Sequence, residues 1–191
     1  MKNYLLIAGL LVGLGATAQT WKIDPAHSNV KFKTKYLLIS EIEGSFKKFE
    51  GTFTATKPDF TDLQADMKVE VSSVNTDNDM RDGHLKGDDF FNAEKFPTMT
   101  FKSTGIRSLG KGKMIMTGNL TIRDVTKKVE VPLFYGGTVK DPWGNTRAGF
   151  KATGTINRQD FKLTWSKKTD TGEAVVADDV EFTIDASLIK Q

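Results

Sequence analysis

Apolar and polar residues alternate with a period of two along most of this chain, and that spacing admits few folds. In Asp179–Leu188, Val180, Phe182, Ile184, Ala186 and Leu188 share one face, with Glu181, Thr183, Asp185 and Ser187 on the other. In Ser28–Tyr36, Val30, Phe32 and Tyr36 alternate with Lys31, Lys33 and Lys35. Gln64–Val71 repeats the pattern with Ala65, Met67, Val69 and Val71, and Lys127–Tyr135 with Val129, Val131, Leu133 and Tyr135. Successive side chains of a strand point to opposite faces, so each run reads as a strand with one dry and one wet face. That is the antiparallel pattern, because parallel strands are covered on both faces.

Turn residues punctuate the runs. Gly110-Lys111-Gly112 separates Phe101–Ile106 from Met114–Ile122, and Asp141-Pro142-Trp143-Gly144-Asn145 separates Val131–Val139 from Ala148–Ile156. Thr169-Asp170-Thr171-Gly172 precedes the last strand. No Pro/Ser-rich linker or internal repeat divides the chain. About eight strands in one all-β domain predict a closed barrel or a sandwich, since both protect their edges.

The amino terminus reads differently. Lys2 precedes an apolar stretch from Tyr4 to Gly15, and Ala16-Thr17-Ala18 has the small-x-small form of a cleavage site. Residues 1–18 are therefore expected to be a signal peptide, with Gln19–Gln191 the mature domain, periplasmic or extracellular. The apolar stretch is too short for a membrane span, and none is expected in the mature chain. Cysteine is absent, which excludes disulfides, thiol catalysis and cysteine metal sites. An exported domain without disulfides needs a core large enough to hold itself. The formal charge of +3 is too small and too dispersed for a nucleic-acid surface.

One segment breaks the alternation. Asn75–Thr98 contains RDGHLKGDDFF at 81–91. Thr76 with Asp79 resembles a capping box, and Asp77 or Asn78 is an alternative cap. Met80, His84 and Leu85 would share one helix face, and Gly83 and Gly87 keep the helix short. The expectation is a short helical insertion across one end of the β-domain. There Arg81, Asp82 and His84 would fix a lid through charge-assisted hydrogen bonds.

Catalytic readings find little support. Asp24, His27 and Ser28 are nearly adjacent, whereas triad members converge from separate elements, and no G-x-S-x-G elbow occurs. A metal-assisted hydrolase built on Asp82, His84 and Asp88 is the enzymatic alternative, but zinc favours three or four ligands rich in His or Cys. The only other histidine is His27. No metal site and no catalytic residue is expected.

The apolar residues say more. Thirteen Phe and three Trp fit a packed core, or the wall of a ligand cavity in a barrel of about eight strands. The candidate lining comprises Phe32, Phe46, Phe53, Met67, Val69, Phe101, Met116, Leu120, Val131, Leu133, Phe150, Trp165 and Phe182, with Met114 as a further adaptable residue. His27, Arg81, His84 and Arg158 are the candidate polar groups at its mouth. Alternation suits a hollow barrel and a filled one equally, so a filled-barrel stress protein without ligand stays open.

Several ordered motifs add a resemblance. W-x-I-D-P-A-H-S stands at Trp21–Ser28, G-S-F at Gly44–Phe46, and V-N-T-D-N-x-x-R-D-G-H-L at Val74–Leu85. D-F-F-N lies at Asp89–Asn92, F-P-T-M-T-F-K-S at Phe96–Ser103, G-N-L-T-I-R-D-V-T-K at Gly118–Lys127, and I-N-R-Q-D-F at Ile156–Phe161. From Trp21 to about Ile189 the chain resembles the YceI-like, or polyisoprenoid-binding-like, family of secreted bacterial proteins. The resemblance implies a lipocalin-like antiparallel β-barrel with a short helical insertion. It also implies a carrier role, with an isoprenoid or similar amphiphilic lipid inside the barrel, no enzymatic activity and no other cofactor. The expected partner is an apolar or amphiphilic small molecule, and a homodimer is left open. The family usually has glycine where this chain has Lys162, and often a histidine near Tyr36 or Leu37, where this chain has none.

Overall fold

The computed structural model describes residues 17–191, so most of the segment read as a signal peptide lies outside the described residues. The strands are β1 (Gln19–Ile23), β2 (Asn29–Tyr36), β3 (Ser40–Phe46), β4 (Phe49–Ala55), β5 (Gln64–Glu70), β6 (Val74–Asn75), β7 (Thr98–Gly110), β8 (Lys113–Ile122), β9 (Val125–Lys140), β10 (Thr146–Asn157) and β11 (Val176–Lys190). One α-helix, α1 (Asp79–Lys86), lies between β6 and β7. Three single-turn 3-10 helices complete the elements among the described residues, at Pro25–His27, Val71–Ser73 and Arg158–Phe161.

The sheet closes on itself. β1, β4, β5, β7, β8, β9, β10 and β11 pair in that order, and β11 returns to β1. Every pairing is antiparallel, as the alternation requires. β2, β3 and β6 lengthen the wall, β2 pairing with the first half of β11, β3 with β2, and β6 with β3. The result is an eight-stranded barrel with one extended side. Closure leaves no unpaired edge around the barrel.

The two ends differ because their loops differ. At one end the β4–β5 loop folds inward and places Phe60 among Trp21, Tyr135 and Phe150, with ring centroids 5.2, 5.0 and 5.1 Å away. These edge-on and tilted contacts suit the aromatic quadrupole. Asp62 holds the loop by accepting from the amides of Thr56 (2.8 Å) and Lys57 (3.2 Å). Met114 and Leu188 are fully buried in the same cluster. This end is plugged.

The opposite end carries the β2–β3 and β8–β9 turns, the insertion bearing α1, and the long β10–β11 connection. Asn78 caps α1 by accepting from the Arg81 amide at 2.9 Å. Thr76 does not cap. It is buried, and it donates both its amide (2.9 Å) and its hydroxyl (2.6 Å) to Oδ1 of Asp82. Met80 does not share the inward face with His84 and Leu85. It is 87% exposed, because eight residues give α1 barely two turns and its first turn faces solvent.

Candidate ligand-binding site

The barrel is hollow. A cavity of about 390 Å³ runs inside it, within the range of small-molecule pockets. The inward positions of seven barrel strands, together with β2 and β3, supply most of its wall. All thirteen apolar positions singled out in the sequence face it: Phe32, Phe46, Phe53, Met67, Val69, Phe101, Met116, Leu120, Val131, Leu133, Phe150, Trp165 and Phe182. Met114 does not. It shares its strand face with Met116 but is only 2% exposed and lies in the cluster of the plugged end that holds Phe60.

Residues off the alternating strands complete the wall. Leu63 comes from the β4–β5 loop, Leu85 from α1, Phe91 from the turn after α1, and Leu163 and Val175 from the β10–β11 connection. Phe91 packs edge-on against Phe46 at 5.7 Å, which seats the insertion on the barrel. Leu85 aside, which helical spacing had marked, these apolar residues sit in irregular segments without periodicity, so the sequence held no pattern for them beyond hydrophobicity.

Polar groups gather at the unplugged end. Arg81, His84 and Arg158 line the cavity there, together with Trp165. Arg81 donates from Nε to the Thr76 hydroxyl (2.7 Å) and from Nη2 to the Thr76 carbonyl (2.7 Å). Arg81, Thr76 and Asp82 thus form one chain of hydrogen bonds across the start of the insertion. His84 Nε2 lies 3.0 Å from Oδ2 of Asp89. Its ring stands edge-on to Phe90 (5.0 Å) and Trp165 (5.5 Å), linking α1 to the β10–β11 connection.

Arg158 is spent on structure. Its side chain is 4% exposed and donates to the carbonyls of Ala177, Leu163, Trp165 and Val176 and to the carboxylate of Asp178. A guanidinium has five N–H donors, and here there are five acceptors. Burial pulls its pKa below the ordinary arginine value. Arg158 clasps the β10–β11 connection and has no donor left for a headgroup.

His27 is not at the mouth. It follows β1 on a 3-10 turn outside the cavity, with Nδ1 2.7 Å from Asp24. Asp24 also accepts from Arg147 (2.6 Å), which in turn bonds Asp141 (2.7 Å). The Arg147 hydrogen bond holds Asp141 at a pKa of about 2 and lowers that of Asp24. This cluster pins the β9–β10 turn to the β1–β2 break. The residues of the enzymatic alternative also part company. Asp82 faces Thr76, His84 faces Asp89, and Asp88 accepts from Asn92 and Arg123. Three side chains turned to separate partners do not make a ligand set.

A hollow apolar barrel, closed at one end and polar at the other, can be set beside known proteins. The family profile of the YceI-like domain matches residues 21–188. The chain belongs to the YceI-like family. It is 38% identical to Protein YceI of Salmonella newport (strain SL254) over 197 aligned positions, covering all of both chains. Among solved structures it is similar to Burkholderia cenocepacia BcnA, with a TM-score of 0.75 at 28% identity over 86% of this chain and 98% of that one. A polyisoprenoid-binding domain from Saccharophagus degradans shares the fold at a TM-score of 0.60 and 15% identity, over 90% of this chain and 97% of that one. Lys162, where the resemblance leads one to expect glycine, is left-handed with φ of 62°, a backbone that favours glycine.

Proposed function

We propose that this chain is an exported carrier that holds an isoprenoid or similar amphiphilic lipid, its tail in the barrel and its headgroup at the unplugged end. The observation that carries the reading is the cavity of about 390 Å³, walled by aromatic and aliphatic side chains. Each CH₂ moved from water into such a wall contributes about 0.8 kcal/mol. A prenyl chain therefore binds without polar chemistry along its length. Met67 and Met116 give the wall adaptable surface. Arg81 retains donors beyond its two bonds to Thr76, and with His84 it is the group placed to meet a headgroup. The shared fold of the Saccharophagus polyisoprenoid-binding domain supports the same ligand class. The role is binding rather than catalysis, and the segment 1–18 serves export.

A cavity-filling variant tests the reading. Ala152 lines the lumen on β10, so Ala152→Trp adds bulk inside without adding polarity. Titration with a fluorescent prenyl alcohol should show saturable binding to the parent and its loss in the variant, both with the same far-ultraviolet circular dichroism. Equal binding by two folded proteins would place the ligand elsewhere.

A further inference from the structure

At three inward glycines of the wall, a phenylalanine ring of the neighbouring strand takes the place of a side chain. Gly44 stands between Ile42 and Phe46 on β3, Gly118 between Met116 and Leu120 on β8, and Gly154 between Ala152 and Ile156 on β10. All six flanking residues line the cavity. Over each gap lies a phenylalanine ring from the neighbouring strand. Phe32 is directly opposite Gly44, and Phe182 directly opposite Gly154, while Phe101 reaches Gly118 diagonally. These three rings also line the cavity.

The fit is close. A Cβ on Gly44 would stand 2.4 Å from the Phe32 ring, one on Gly118 2.4 Å from Phe101, and one on Gly154 2.6 Å from Phe182. Carbon atoms prefer about 3.5–4.0 Å. An alanine would therefore push each ring about 1 Å off the wall, and the free space lies on the lumen side. None of these three glycines has a positive φ. Their backbone accepts alanine, so what glycine provides here is room for the ring rather than conformational freedom.

We propose that the glycine–phenylalanine pairs set the bore of the lumen, and that Gly154 and Gly44 are specificity-determining residues. By letting rings lie flat they keep the lumen wide enough for a methyl-branched chain, which is broader than an n-alkyl chain. This rests on the lipid-carrier reading and goes beyond it by naming what selects one apolar chain over another. Gly154 is the clean site, because the three atoms nearest its Cβ all belong to the Phe182 ring. A Cβ on Gly44 also meets the Thr76 methyl at 2.8 Å, and one on Gly118 meets the Lys102 carbonyl at 2.7 Å.

The test compares two fluorescent probes of equal chain length, one prenyl and one n-alkyl, against the full chain, Gly154→Ala and Gly154→Ala/Phe182→Leu. Gly149→Ala on the same strand is the control, since its Cβ would meet nothing within 4 Å. Overpacking of a wall predicts about a tenfold loss of prenyl affinity in Gly154→Ala. Alkyl affinity should hardly change, and the double variant should recover prenyl binding. Should Gly154→Ala fail to fold, Gly44→Ala with Phe32→Leu repeats the comparison. Equal effects on both probes, or no effect on either, would overturn the inference while leaving the carrier reading intact. A parent chain that binds neither probe would overturn both.

Discussion

Thr76 donates both its amide and its hydroxyl to a single oxygen of Asp82. Both residues are buried, and the Thr76 hydroxyl also accepts from Arg81. The polar stretch that looked most like an active site is thus largely a fastening for the helical insertion. Asp82→Ala leaves a buried amide and hydroxyl without their acceptor. We expect it to cost about 2–4 kcal/mol in urea unfolding. A loss below about 0.5 kcal/mol, the range of ordinary surface substitutions, would show that the fastening is idle.

Arg158 holds four carbonyls and one carboxylate in the β10–β11 connection. Arg158→Met leaves them unpaired and should destabilise the fold by about 3–5 kcal/mol. Arg158→Lys should recover little, because a lysine has three donors on a point charge rather than a planar fork. Limited proteolysis should then cut within residues 162–175 first. Resistance equal to that of the parent would contradict the clasp.

Acid should act through Arg147. Its hydrogen bonds hold the carboxyls of Asp141 and Asp24 below their ordinary values, Asp141 at about 2. A carboxylate whose folded pKa is depressed contributes stability above its unfolded pKa, and that contribution is lost as pH falls through the folded one. The melting temperature should therefore fall between about pH 4 and about pH 2, and Arg147→Met should flatten that part of the profile. Parallel profiles would remove the cluster from the account.

Lys162 adopts a left-handed backbone and its ammonium makes an exposed pair with Asp124 at 2.7 Å. The left-handed conformation costs an L-residue about 1–2 kcal/mol, and glycine escapes that at some entropic expense. The surface pair is worth little. Lys162→Gly should raise stability by about 0.5 kcal/mol, read in chemical denaturation. Destabilisation would mean that the Asp124 pair outweighs the backbone.

Alternation told which way a side chain points, and that made the barrel and twelve wall positions legible; Trp165, in the β10–β11 connection, was singled out only as an aromatic residue. It did not tell depth along the barrel. Met114 and Met116 share a face, yet one lies in the plug and the other on the cavity. Phe60 and Leu63 sit in a loop, where no period marks an inward turn, so the plug itself was invisible. His27 belongs to a motif, and a motif does not fix position. The bond to Asp24 keeps it on the outer surface. Met80 does not join His84 and Leu85 on a covered face, because α1 is too short for helical spacing to settle which turn is covered. Arg158 could be read as a free cation only until its five acceptors were in view. The hollow itself was beyond the pattern, since a filled lumen needs the same inward apolar residues.

Native mass spectrometry of the purified chain, followed by organic extraction, tests the central claim most directly. The account predicts a one-to-one adduct that dissociates as an apolar or amphiphilic small molecule carrying a long hydrocarbon chain. The bare-chain mass, unchanged after incubation with excess prenyl lipid, would contradict it.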